Sequence, residues 1–149
     1  MYQAVRDPQP KVFRMGCYDA RLGPAHDLHT RGRFGVDADN GTLKDSDLPG
    51  GVAYYTPGLT KKFEIALGVI KFTLEHFLTI NRVVLIANQH CGWYKALGIG
   101  GQEKADLLVA KKLIKKFIKS LKLKRRVKVT AFFASFTSKK QKVVTFEKV

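Results

Sequence analysis

No run of 18 or more apolar residues occurs in this sequence, which argues against a membrane-spanning helix. The opening segment "MYQAVRDPQPKVFR" is charged and holds two prolines instead of the apolar core of a secretory signal. Cysteine is scarce, with two in 149 residues, so a secreted scaffold stapled by several disulfides is excluded. Internal repeats and a separate linker are also missing. These absences lead to the expectation of a soluble, cytoplasmic chain forming a single domain over residues 1–149, long enough to bury a sizeable core. Acidic residues are scarce in the last quarter, where 14 Lys and Arg face one Glu from residue 111 onward, against 13 and 11 before it. Such a block attracts polyanions or forms a solvated lysine-rich helix face.

Apolar runs alternate with amphipathic stretches, a pattern that predicts an α/β fold with a mostly parallel central sheet flanked by helices. "KVFRMGCYD" (11–19) reads as a first strand ending near Cys17. Residues 21–47 are rich in Gly, Asp and Pro and read as a long loop. "LPGGVAYY" follows as a short strand or turn, in which Gly50 and Gly51 allow tight turning. Residues 60–78 place Phe63, Ala66, Leu67, Ile70, Leu74 and Phe77 mostly three and four apart, an amphipathic helix with Thr60 as N-cap. "RVVLIA" (82–87) is continuous, apolar and β-branched, as a strand buried on both faces must be. Residues 103–121 give a second amphipathic helix with Leu107, Ala110, Ile114, Phe117 and Leu121 on one side. The tail reads as two strands around a polar turn at 137–141, a C-terminal β-hairpin.

Cys17 and Cys91 both fall where a strand hands over to a loop. In open parallel sheets that carboxyl edge is where ligand crevices form. Two thiols delivered there are zinc ligands by preference, a reversible redox pair under oxidation, or two ordinary core cysteines.

The pattern C-x-D-x-R at Cys17, Asp19 and Arg21, followed by a strand, a Cys-Gly step at Cys91 and Gly92, and "WYKAL", resembles the β-class carbonic anhydrases. The likeness runs from about residue 11 to the end. It implies that fold, zinc as cofactor, CO2 and bicarbonate as substrates and a homodimer. It also implies a first metal ligand at Cys17 and a second at Cys91. Asp19, held by Arg21, is then gate or ligand, since a carboxylate gripped by a guanidinium cannot reach the metal. Read without the family, Asp19 and Arg21 are a surface ion pair at a strand end. The short N-terminal stretch leaves little of the family's helical arm.

The third family ligand, a His three residues before the second Cys, is replaced by Asn88. The remaining donors are Cys17, Cys91 and Asp19, with His90 as a further candidate if a kink turns it inward. His26 and His29 are weaker candidates, and His76 is structural. Two thiolates and a carboxylate leave a zinc centre at formal charge −1. A Cys2His site is neutral, so the more negative centre holds water's proton more tightly. Gly92 sets backbone amides at a helix start, where anions such as bicarbonate are favoured. Trp93 and Tyr94 read as packing, and "GIGG" (98–101) lacks the strand-to-helix context of a phosphate loop. The alternative function is a catalytically silent relative whose basic C-terminal block binds nucleic acid without sequence preference, or an acidic partner.

Overall fold

The strand Arg82–Asn88 (β3) lies at the middle of the sheet, and Val83 to Asn88 are all buried. Its β-branched residues pack both faces of the pleat, and burying each large one stabilises by roughly 1.5–3 kcal/mol. A computed structural model describes residues 8–17, 19, 21–39, 41–48, 51–55, 63–137 and 143–149. Strand β1 (Val12–Cys17) pairs with β3 in parallel, Met15 opposite Leu85. Strand β2 (Leu43–Leu48) pairs in parallel with the free side of β1, and β4 (Lys128–Phe136) in parallel with β3. Strand β5 (Val144–Lys148) returns antiparallel to β4, giving the order β2-β1-β3-β4-β5. The α/β sheet is thus mostly parallel and ends in a C-terminal hairpin, as the pattern of runs predicts.

Helices α2 (Phe63–His76) and α4 (Glu103–Ser120) cover one face. Ile70 and Leu74 of α2 and Leu107, Ala110 and Ile114 of α4 meet Val83, Leu85 and Ala131 there, all fully buried. Phe117 and Leu121, placed by periodicity on that stripe, are partly buried at its margin. Thr60 lies outside the described residues, as does most of the 137–141 turn. Arg125, beyond α4, donates to the carbonyls of Leu74, Phe77 and Ile80 and so ties off the end of α2.

The reading of residues 21–47 as one loop is corrected. The segment holds helix α1 (Gly23–Phe34) and strand β2. Pro24 fits the first turn of a helix, where its missing N–H costs nothing, and Gly35 closes the helix in the left-handed conformation, its N–H on the Arg31 carbonyl. The side chains α1 buries are His26 and Thr30, so no apolar stripe announces it. Beneath it Arg14 of β1, only 2% exposed, bridges Asp27 of α1 and Asp45 of β2. This second face of the sheet therefore carries an ion-paired layer beside its apolar cluster of Val12, Val84, Ile86 and Phe132. Among the described residues no helix is long and apolar enough to cross a membrane.

Candidate functional site

Parallel pairing of β1 with β3 delivers both strand ends to one edge of the sheet, and the two cysteines meet there. Cys17 closes β1, Cys91 caps the short helix α3 (Gly92–Ala96), and their sulfurs stand 3.3 Å apart. Both are buried, at 6% and 2% exposure, in a small packed cluster with Ala53 and Tyr94. Gly51 makes the approach possible. It opens the 3-10 turn Gly51–Tyr55 at φ +47°, and a Cβ there would sit 2.9 Å from the Cys17 nitrogen. Only glycine fits both the angle and the space. Gly50 lies outside the described residues.

The Cys91 thiol is lowered to about 6, first by its hydrogen bond with Cys17 and then by the backbone N–H groups of Tyr94 and Trp93, against the opposing effect of burial. The neighbouring Cys17 sulfur and the amide groups at the start of α3 thus favour the Cys91 thiolate. Tyr94 is buried beside the sulfurs and Trp93 packs on the same cluster. Gly92 begins α3 with open space where a Cβ would stand, so nothing there demands glycine sterically.

Two residues beyond Cys17, the Asp19 carboxylate accepts from Arg21 through Nε at 2.9 Å and Nη2 at 2.7 Å. The guanidinium holds the Asp19 carboxyl below the usual carboxylate range. Arg21 itself lies over the Phe136 ring at 5.4 Å and reaches the His90 carbonyl at 3.5 Å. Phe136, the last residue of β4, was given no role by the sequence pattern. Its place at the same sheet edge is visible only once β4 is paired to β3.

His90 occupies a left-handed conformation, φ +58°, and is exposed. The kink exists, and it turns the backbone carbonyl toward Arg21. Asn88 ends β3 at 1% exposure, and its amide donates to the Gln89 carbonyl at 3.2 Å. Among the described residues its Oδ1 has no hydrogen-bond partner. His26 is fully buried, neither ring nitrogen has a partner among the described residues, and burial lowers it to about 4. His29 stacks on Phe146 at 4.0 Å, and His76 stacks on Phe72 at 5.5 Å. No group of three or more His, Cys, Asp or Glu side chains is gathered tightly enough to hold a metal ion among the described residues. The structure thus brings Cys17 to Cys91 and Asp19 to Arg21, and leaves His90, His26 and His29 outside any three-donor set.

No family model matches this chain, and no curated protein matches it by sequence. Solved structures do match in shape. A β-carbonic anhydrase of the fungal pathogen Aspergillus fumigatus is similar over 95% of this chain and 76% of its own, with 14% identity and a TM-score of 0.51. β-Carbonic anhydrase isoform I of the protozoan Trichomonas vaginalis is similar over 98% of this chain and 87% of its own, with 14% identity and a TM-score of 0.53. The chain therefore has a β-carbonic-anhydrase-like fold.

Proposed function

We propose that this chain is a zinc-binding relative of the β-carbonic anhydrases and hydrates CO2 reversibly to bicarbonate. The observation that carries the reading is the pair of buried sulfurs 3.3 Å apart at the carboxyl edge of a β-carbonic-anhydrase-like sheet, with the Asp19–Arg21 pair two residues further on. Two zinc–sulfur bonds of about 2.3 Å at a tetrahedral angle separate their sulfurs by about 3.8 Å, so the pair needs to open by only half an ångström. The unpartnered Oδ1 of Asn88 supports the fit, because a buried oxygen without a donor is costly unless something else satisfies it. Two thiolates and this neutral oxygen would give the donor set the same net charge as Cys2His. His90 and Asp19 are the other candidate donors.

Zinc held by Cys17 and Cys91 would supply the Lewis acidity that makes water nucleophilic toward CO2 near neutral pH. The chain's own residues do the rest. Arg21 keeps Asp19 ionised and fixed in place, so that its carboxylate would accept a hydrogen bond from the reacting water and orient it. Ala53 and Tyr94 pack against the sulfurs and keep that side of the pair dry, which would suit an apolar substrate such as CO2.

The test is metal content and CO2 hydration rate of the purified protein beside its Cys17→Ser and Cys91→Ser variants. One zinc per chain with hydration above the uncatalysed rate, both lost in the variants, is expected. Metal-free protein after purification with zinc present overturns the reading. The proposal includes a homodimer, for which the outer face of α2 offers surface: Ile65, Val69 and Phe72 stand at helical spacing and Ile65 is 68% exposed. Sedimentation of the native chain and of Phe72→Glu checks it.

A further inference from the structure

At the opposite rim of the sheet from the cysteines, roughly 20 Å away along β3, the amino ends of the strands open onto a groove of about 820 Å³. Its floor is Val127, Val129 and Ile118, and its walls are basic. Arg82 and Lys128, register partners, stand at the first positions of β3 and β4. Lys111, Lys115 and Lys119 form a row along α4, one turn apart, over an axial length of about 12 Å. Lys122, Arg125 and Arg126 continue the wall through the turn after α4, and Lys148 faces them from β5.

No carboxylate lines this groove among the described residues. The chain pairs its cations elsewhere: Arg14 with Asp27 and Asp45, Arg21 with Asp19, Arg31 with Asp37, Lys104 with Glu147. Two of the groove's cations have structural work, since Arg125 ties off α2 and Arg82 donates to the Thr130 hydroxyl. Lys111 donates to the main-chain oxygen of Val149, and burial and repulsion from Lys115 and Lys148 lower the pKa of its ammonium. Lys115, Lys119, Lys122 and Arg126 are exposed and face the cavity. An ordinary solvated helix face spreads its lysines and interleaves acids. Here the charges of four separate elements converge on one concavity.

We infer that this groove binds the sugar–phosphate backbone of a double-stranded nucleic acid without reading its sequence. The charge it concentrates exceeds what one phosphorylated metabolite neutralises, whereas 12 Å of duplex carries on the order of seven phosphates. No aromatic side chain lines it among the described residues, so it lacks the stacking platform that single strands and nucleotide bases require. Duplex backbone suits both observations, dense anionic charge and no need of a stacking surface. The inference is independent of the proposed zinc chemistry, because none of these residues approaches the cysteine edge.

The experiment measures binding of the full chain to two unrelated 20-base-pair DNA duplexes, a matching RNA duplex, a single strand and inorganic polyphosphate, between 50 and 200 mM salt. With about five phosphates contacted, affinity for every duplex falls by several hundred-fold across that range, the logarithmic slope being about −4.5. The triple variant Lys115→Ala, Lys119→Ala, Arg126→Ala flattens the slope by about 3 and weakens binding at least tenfold at 50 mM salt. A control triple variant, Lys44→Ala, Lys71→Ala, Lys95→Ala, removes the same charge from exposed sites elsewhere and changes affinity less than threefold. Circular dichroism of both variants verifies the fold. No duplex binding at 50 mM salt overturns the inference, as does equal weakening by the two triple variants. Preference for the single strand or for polyphosphate over duplex also overturns it.

Discussion

Arg21 grips Asp19 with a two-pronged contact, Nε on Oδ1 and Nη2 on Oδ2, while its backbone N–H also donates to Oδ1 at 3.1 Å. The guanidinium is half exposed and the carboxylate is 12% exposed, so the pair sits at the protein surface two residues beyond Cys17 and not within the core. An ion pair at that depth contributes little to folding, on the order of 1 kcal/mol or less. Its worth lies in where it keeps the carboxylate.

Replacing Arg21 by Ala releases the Asp19 carboxylate from its two-pronged partner, and under the proposed zinc function the freed carboxylate would compete with water for the metal. The expected outcome is a CO2 hydration rate at least tenfold lower at neutral pH, with a urea midpoint close to that of the native chain. Stopped-flow hydration and equilibrium unfolding on one preparation separate the two effects. A variant that hydrates CO2 as fast as the native protein removes Asp19 and Arg21 from the mechanism.

If zinc is held as proposed, the strength of its site turns on Asn88. A carboxamide oxygen is a weak zinc donor and an imidazole nitrogen a strong one. Asn88→His is therefore expected to raise zinc affinity at least tenfold, read by competition with a chelator, and to raise the hydration rate with it. Unchanged affinity would mean that another donor already completes the set.

Sequence pattern carried much of this fold because the central strands are simple. The run Val83–Ala87 has apolar residues on both faces, and only a strand covered on both sides needs that. The strand-end positions of Cys17 and Cys91 also follow from chain order, since parallel neighbours deliver their carboxyl ends together. Helix α1 was illegible for the complementary reason. Its inward residues, His26 and Thr30, are polar, and it lies over Arg14 and two aspartates, so hydrophobic periodicity has nothing to report. Strand β2 is an edge strand with the sequence LKDSDL, whose polarity matches a loop as well as a strand. The unpartnered oxygen of Asn88 and the ring of Phe136 under Arg21 depend on three-dimensional neighbours that no local pattern encodes.

His26 gives the fold a built-in acid sensitivity. Burial holds its imidazole neutral, with the nearby Arg14 acting in the same direction and Asp27 and Asp19 opposing, so its pKa is about 4 against an ordinary 6.5. Between those values the unfolded chain takes up a proton that the folded chain refuses. Stability is therefore intact above pH 6.5, declines as the pH falls through this window, and levels off below about 4. The full loss is on the order of 3 kcal/mol. In His26→Leu, urea unfolding between pH 7 and 4 is expected to lose that part of the slope, and stability at pH 7 is expected to hold or rise because two unpartnered buried nitrogens are gone. An unchanged slope would show that some other group carries the acid response.

Gly51 links the fold to the site through backbone alone. At φ +47° an L side chain is strained, and an added Cβ would press on the Cys17 nitrogen at 2.9 Å and the Gly16 carbonyl at 3.0 Å. Those atoms belong to the buried end of β1, where Gly16 and Cys17 pair with Asp47 and Leu48, so they cannot retreat without disturbing the β1–β2 ladder. Gly51→Ala is expected to cost roughly 2–4 kcal/mol in equilibrium unfolding, from the disfavoured angle and the overlap together. The shift it forces also moves the Cys17 sulfur away from Cys91, so the pair should oxidise more slowly with a small disulfide reagent and bind zinc more weakly. Gly92→Ala, where nothing stands within 4 Å of the added carbon, serves as the matched comparison. Equal effects of the two alanines on stability and on zinc affinity would show that the close approach of Gly51 to Cys17 does not set the sulfur geometry.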